Sequence, residues 1–210
     1  MIIVFAKAPV AGEAKTRLIP RLGAWRAARL HERLTRQAVR TALASGEDVE
    51  LHGSARHAFF SSLNVPFQLQ RGRDLGERMH RAFARAHGPA ILIGTDCPEL
   101  TAADLRSAAR FLRAGYDAVL APAEDGGYAL VALRRAIDIF DGIAWGGPRV
   151  YADTVRRLAG YRWRALRRVW DVDRPEDLER VRSLRLASAS RRAAPRSRGS
   201  RARSGGSDRP

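Results

Sequence analysis

Short apolar runs alternate along the chain with longer segments whose apolar residues recur every three or four positions. The runs at residues 1–7, 48–53, 65–70, 91–94, 117–121, 129–133 and 161–169 predict strands, and they are almost uniformly apolar where a strand buries both faces. Between them, Ala27, Leu30, Leu34, Ala38 and Leu43 mark one face of a helix over 24–44, which leaves His31 on its exposed side. Residues 54–63 read as a short helix or turn with Phe59 and Phe60, and helices follow over 74–86, 101–114 and 148–158. Pro66 suggests an edge for its strand. The strands at 117–121 and 129–133 are joined too closely for a parallel crossover, so they can pair antiparallel. The whole reads as an α/β domain with strands alternating with helices.

Composition narrows the class. The 210 residues suffice for one domain with a sizeable core. The single cysteine, Cys97, excludes an internal disulfide and a cysteine-based zinc cluster, and it fits a reducing cytoplasm. Cys97 reads as a small packed side chain or, less simply, as a nucleophile. No apolar run predicts a membrane span or a signal peptide. The net charge of +16 invites a polyanion-binding reading, but only two of the 38 basic residues are lysine, which looks like a bias toward arginine. Residues 187–210 are Ser, Arg, Ala, Gly and Pro without periodicity and are expected to form a disordered tail beyond a domain of residues 1–186. Aromatic residues are absent from that tail, against a single-strand nucleic-acid platform. No specific nucleic-acid partner is expected.

The candidate chemistry gathers at strand ends. In Ile91-Leu-Ile-Gly-Thr-Asp-Cys-Pro98 the strand stops at Asp96, and Thr101 caps the next helix. A carboxylate at the carboxyl end of a strand in an open α/β sheet can hold a divalent cation against a diphosphate, or it can simply cap a turn. The first strand runs into a loop with Pro9, Gly12 and the cations Lys7, Lys15 and Arg17, a plausible phosphate cradle that matches neither the Walker nor the dinucleotide glycine pattern. Both lysines of the chain fall there. Arg71-Gly-Arg-Asp-Leu-Gly-Glu-Arg-Met79 sets Asp74, Gly76 and Arg78 at a strand-to-helix junction, where Asp74 can cap the helix, contact a ligand, or do both.

Pro122-Ala-Glu-Asp-Gly-Gly-Tyr128 is a tight acidic turn in which Asp125, Gly126, Gly127 and Tyr128 can face an acceptor or ligand. Trp145, in the glycine-rich loop 141–148, is a lid, a stacking surface or a core plug. Asp171 and Asp173 lie two apart on extended backbone, which can turn both toward one cation, while Asp173 also reads as the cap of a helix with Pro175 in its first turn.

Phe5-Ala-Lys-Ala-Pro-Val-Ala-Gly-Glu-Ala-Lys-Thr-Arg-Leu18, Asp74-Leu-Gly-Glu-Arg-Met79, Gly94-Thr-Asp-Cys-Pro-Glu-Leu100, the 122–128 turn and Asp171-Val-Asp-Arg-Pro-Glu-Asp-Leu178 together resemble a known family. It is the small bacterial transferases of the nucleotide-diphospho-sugar superfamily, of glycosyltransferase-A type and associated with radical-SAM and selenodomain proteins. The resemblance implies a three-layer α/β/α, Rossmann-like fold with a mostly parallel sheet and one antiparallel strand. It implies a transferase that binds a nucleotide or nucleotide sugar with Mg²⁺ or Mn²⁺ and moves the glycosyl group to a small-molecule acceptor. Nucleotidyl transfer from a nucleoside triphosphate is the alternative, and a non-catalytic polyanion binder is a lesser one. By the same resemblance Lys15 and Arg17 meet phosphates and Asp96, Asp171 and Asp173 serve the metal, Asp96 counting as catalytic too; the strand-end loops add Lys7, Asp74, Gly76, Arg78 and Trp145 as substrate-binding candidates. Asp125 is the candidate base, with Gly126, Gly127 and Tyr128 on the acceptor side. The chain departs from the family in two places: one Asp followed by Cys97 and Pro98 stands where an Asp pair is familiar, and the loop reads Trp145-Gly-Gly-Pro148.

Overall fold

In the computed structural model, which describes residues 1–181, the chain forms one seven-stranded sheet of order β3-β2-β1-β4-β6-β5-β7 with helices on both faces. The strands are β1 (Ile2–Ala6), β2 (Val49–Gly53), β3 (Phe67–Leu69), β4 (Ala90–Ile93), β5 (Ala118–Pro122), β6 (Tyr128–Leu133) and β7 (Trp163–Ala165). The helices are α1 (Ile19–Leu22), α2 (Ala24–Leu43), α3 (Ala58–Ser61), α4 (Leu75–Arg85), α5 (Ala102–Arg113) and α6 (Val150–Arg157). Only β6 runs against the rest, pairing antiparallel with β4 and β5, as the short 122–128 connection requires. The strand at Phe67–Leu69 is an edge, as Pro66 suggests.

The near-continuous apolar strands are explained by two cores, one on each face. On one side Ile2, Val4, Ile91 and Ile93 pack with Val39 of α2, Phe59 and Phe60 of α3 and Leu105 of α5. On the other Ile3, Phe5, Leu92 and Leu120 pack with Met79 and Phe83 of α4 and with Ile139 and Phe140. Neighbouring residues of one strand thus serve opposite layers, the period-two geometry of a three-layer α/β/α sandwich. Local caps agree with the sequence. Thr101 makes a full capping box with Asp104, and the Asp74 carboxylate accepts from the Glu77 amide at 2.8 Å.

A third, smaller cluster matters more for function. Leu18, Ala27, Leu34, Trp170 and Val172 bury one another, clamping the loop after β1 and the segment after β7 onto α2.

Three expectations are corrected. The last strand is only Trp163–Ala165, because beyond it the chain keeps no ladder except an isolated bridge from Val169 to Ala123. The helix after Pro175 begins at residue 177, and Asp173 does not cap it; Asp177 instead accepts from the amides of Asp173 and Arg174, which frees the Asp173 carboxylate for cations. His31 is not exposed: it is buried at 4%, because it lies four residues after Ala27 and three before Leu34 on the inward face. The expected tail at 187–210 lies outside the described residues.

Candidate active site

Strands β1 and β4 are parallel neighbours at the point where the chain, having built β2 and β3 to one side of β1, crosses to the other. Their carboxyl ends open a crevice at this switch of strand order, the usual ligand position in such sheets. Into it come the loop after β1, the turn after β4, the turn between β5 and β6, and the segment 169–173. The last two are stitched to the sheet edge by backbone: the Val172 amide donates to the Asp96 carbonyl at 2.8 Å, and the Glu124 amide to the Val169 carbonyl at 3.0 Å.

At the centre is Lys15. Its side chain is 4% exposed, and its ammonium lies 2.8 Å from Asp96 Oδ1 and 3.1 Å from Asp173 Oδ1, with a further hydrogen bond to the Val172 carbonyl. Burial pulls Lys15 down, but Asp96 and Asp173 outweigh it and hold the ammonium above its ordinary value. Its backbone is left-handed at φ 51°, a conformation that costs a non-glycine residue about 1 kcal/mol or more and that launches the 3₁₀ turn Thr16–Leu18. Arg17, exposed, reaches the other oxygen of Asp173 at 2.8 Å. The two cations and two carboxylates balance to zero. Lys7 stands at the rim, its ammonium donating to the Glu13 carbonyl at 2.8 Å.

His31 is the residue that sequence reasoning missed. Its Nε2 lies 2.9 Å from the Lys7 carbonyl, an oxygen that can only accept, so Nε2 carries the proton. Nδ1 is then a lone pair; it is buried without a hydrogen-bond partner and lies 3.9 Å from Asp96 Oδ1. Burial pushes the His31 pKa below its ordinary value, against the pull of Asp96, so the ring is neutral. The missed signal was spacing alone: the apolar set that includes Ala27 and Leu34 already places residue 31 on the buried face.

Asp171 is pushed up to about 6, first by burial and then by the carboxylates of Asp125 and Asp173. The Cys97 thiol is pushed well above its ordinary value by burial and by Asp96, which fits a packed side chain and not a nucleophile. Asp125 is exposed and uses Oδ1 to accept from the Gly127 amide at 2.8 Å, leaving Oδ2 free of that turn bond. Gly126 is held at φ +91° against Pro148, so the turn and the Trp145 loop are packed as one body. The Tyr128 ring packs on the second core, and burial pushes its phenol up.

The structure thus brings Lys15, Arg17, Asp96, Asp125, Asp171 and Asp173 together. It places Asp74, Gly76 and Arg78 apart from them, at the start of α4. There Asp74 caps the helix, Arg78 donates to the Gly72 carbonyl at 3.1 Å, and a Cβ on Gly76 would come within 2.9 Å of the Trp145 indole. Trp145 also lies 6.4 Å from Phe140 between ring centroids, which makes it a cover of the core. Among the described residues, no hydrogen bond or ion pair links the Asp74 to Arg78 block to the Lys15 cluster.

Nor do the described residues contain a ready-made group of three or more His, Cys, Asp or Glu side chains around a metal position. The Lys15 ammonium sits between Asp96 and Asp173. The orphaned Nδ1 of His31 lies 3.9 Å from the same oxygen of Asp96.

The chain matches, over residues 29–147, a family described as uncharacterized proteins conserved in bacteria (DUF2064). A crystal structure from Desulfovibrio desulfuricans G20, assigned as a nucleotide-diphospho-sugar transferase, is 31% identical, with a TM-score of 0.83 over 91% of this chain and 89% of that one. CMP:2-keto-3-deoxy-manno-octonic acid synthetase, solved with CTP, aligns at 13% identity and TM-score 0.61 over 90% of this chain and 98% of that one. A cytidylyltransferase from Leptospira borgpetersenii serovar Hardjo-bovis aligns at 11% identity and TM-score 0.62 over 91% and 93%. These last two show a shared fold. No curated protein matches the sequence. No described helix is long and apolar enough to cross a membrane. With a family match over more than half of its length, in a nucleotide-diphospho-sugar transferase fold, the chain belongs to the bacterial DUF2064 family.

Proposed function

We propose that the protein is a glycosyltransferase that binds a nucleotide sugar by its diphosphate in the crevice between β1 and β4 and passes the sugar to a small-molecule acceptor. The observation that carries this reading is the meeting of Lys15 and Arg17 with Asp96 and Asp173 at the switch point of the sheet. The relative at 31% identity supports the donor class. Lys15 and Arg17 are cations paired to carboxylates by contacts that a diphosphate can take over, Arg17 in two places and Lys15 as a point charge. A divalent cation held by Asp96 and Asp173 supplies charge neutralisation of the leaving diphosphate when bound.

On the acceptor side, Asp125 presents a carboxylate oxygen beside the Gly126 and Gly127 backbone. The acceptor hydroxyl gives its proton to Asp125 as its oxygen bonds the anomeric carbon, and the bond from that carbon to the phosphate oxygen breaks with its electron pair, releasing the nucleoside diphosphate. Catalysis on this reading is mainly positioning and charge stabilisation.

A second reading, nucleotidyl transfer, is favoured by one observation: the basic loop directly follows the first strand in a fold shared with a CTP-bound synthetase. The leaving group separates the two. Incubation with pooled nucleotide sugars, a cell-extract acceptor pool and Mn²⁺ should release nucleoside diphosphate only when acceptor is present. Acceptor-dependent pyrophosphate from a nucleoside triphosphate, with no diphosphate from any sugar donor, would replace the first reading by the second.

A further inference from the structure

The outer face of α2 carries features that the crevice does not use. Trp25, in the first turn of that helix, is 69% exposed, more than any other large apolar side chain among the described residues. Beside it opens a cavity of about 420 Å³, within the size range of ligand pockets. Its floor is aliphatic: Leu22 of α1, Leu30 of α2, and Leu178 and Val181 of the helix that begins at residue 177. All four belong to the partly buried fringe of the cluster that includes Leu18 and Trp170.

The rim is basic. Arg26, Arg29 and Arg33 are spaced by three and four residues, so they stand on one face of α2, and all three are exposed. Arg29 pairs with Glu32 at 3.1 Å and lies 5.4 Å over the Trp25 ring. Arg26 and Arg33 make no hydrogen bond or ion pair with another described residue. Among the described residues, no acid lines the cavity. A hydrocarbon floor beneath unpaired cations calls for a partner that presents hydrocarbon and anion side by side. The headgroup boundary of an anionic bilayer does so, and it is where helices with arginine on one face and Trp and Leu on another settle. Nucleic acid offers phosphate but no aliphatic surface, which leaves the floor uncovered. The charge beyond the cavity points the same way. Past Val181, residues 182–210 hold nine arginines and one aspartate, so a polybasic sequence is tethered at the patch. An apolar anchor with a polybasic segment beside it is the two-signal combination that gives stable attachment to anionic membranes.

We propose that this face of α2 docks the protein on an anionic phospholipid bilayer. Trp25 enters the interface, Arg26 and Arg33 meet lipid phosphates, and the aliphatic floor takes the upper part of an acyl chain. None of these residues belongs to the Lys15 cluster, so the proposal stands whatever the crevice binds.

The test is flotation of the full-length protein with vesicles of equimolar phosphatidylglycerol and phosphatidylcholine, set against phosphatidylcholine alone. Binding should require the anionic lipid and weaken as salt is raised. Trp25→Ala, and Arg26→Gln with Arg33→Gln, change exposed side chains; both variants should melt near the parent and bind about tenfold more weakly or worse. The fluorescence difference between the parent and Trp25→Ala isolates Trp25. That signal should be open to acrylamide in the free protein, then shielded and blue-shifted on the anionic vesicles. A full-length variant with Arg191, Arg192, Arg196 and Arg198 changed to Gln should bind more weakly than the parent, yet still require phosphatidylglycerol and still lose affinity when Trp25→Ala is added. Absence of binding, or equal binding to both kinds of vesicle, would overturn the proposal. So would parental binding by the Trp25 and Arg26/Arg33 variants, which would assign the attraction to the basic sequence alone. Trp25 shielded from acrylamide without vesicles would show the cavity already covered by protein, and would overturn it as well. Single-stranded RNA bound more tightly than vesicles, with the loss falling on the same variants, would make the face a nucleic-acid site instead.

Discussion

The Lys15 ammonium lies 2.8 Å from a carboxylate oxygen of Asp96, the residue that leads into the loop's 3₁₀ turn meeting the turn that follows β4. Lys15 is almost wholly buried, whereas Asp96 is 43% exposed and Asp173 31%. Water therefore reaches the acids but not the base, and two half-solvated carboxylates lie over a buried ammonium.

Lys15→Met keeps the buried stem and deletes the charge. Removing one partner of a fully buried pair costs about 3–5 kcal/mol, but solvent shares the load here, so the expected loss is about 1–2 kcal/mol. Urea unfolding checks it. Pyrophosphate affinity, measured by calorimetry, should fall at least tenfold in the same variant.

Asp125 has a structural and a chemical role that one pair of variants separates. Asp125→Asn retains an oxygen for the Gly127 amide, now 2.8 Å from Oδ1, and should keep the parent's melting temperature while losing at least a hundredfold in transfer rate. Asp125→Ala should lose the rate and also about 1 kcal/mol of stability. Full activity in Asp125→Asn would remove it as the base.

Gly126 and Gly146 both have positive φ, at +91° and +81°, yet they should respond differently to alanine. A Cβ on Gly126 would stand 2.1 Å from the Pro148 carbonyl oxygen, so the turn or the loop must move, whereas nothing lies within 4 Å of one on Gly146. The expectation is about 1 kcal/mol for Gly146→Ala, from backbone strain alone, and more than about 2 kcal/mol for Gly126→Ala. Thermal melts of the two variants compare them directly.

Stability should fall on mild acidification. His52 is buried beside Phe5, and burial lowers its pKa from the ordinary 6.5 against the pull of Glu50, 3.2 Å away. Below 6.5 the unfolded chain therefore holds more protons at this residue than the folded one. Its contribution is complete above 6.5 and is lost as pH falls through the folded value; His31, shifted the same way, adds to the slope. His52→Leu should flatten the dependence below pH 6.5 in part, leaving the share of His31. An unchanged slope in urea titrations would show that His52 is not the source.

What the sequence determined by itself was whatever is set by near neighbours. The apolar runs that became Ile2–Ala6 and Ala90–Ile93, the capping of α5 by Thr101, and the antiparallel return of β6 through Gly126 and Gly127 all follow from local geometry. The strand-end positions of Asp96 and Asp125, and of the loop that carries Lys15, were legible for the same reason, because the end of a strand is also where its loop begins. Tertiary structure decided which of those residues touch. The Leu18, Ala27, Leu34, Trp170 and Val172 cluster draws together two loops from opposite ends of the chain, and so puts Lys15 on Asp173. No spacing along the chain encodes that meeting. It also turned Asp173 from a helix cap into a cation's partner, since Asp177 took over the amides. The same packing buried His31 against the Lys7 carbonyl and left its second nitrogen facing Asp96, because a residue on the inward face of α2 acquires its partners only when the sheet is in place.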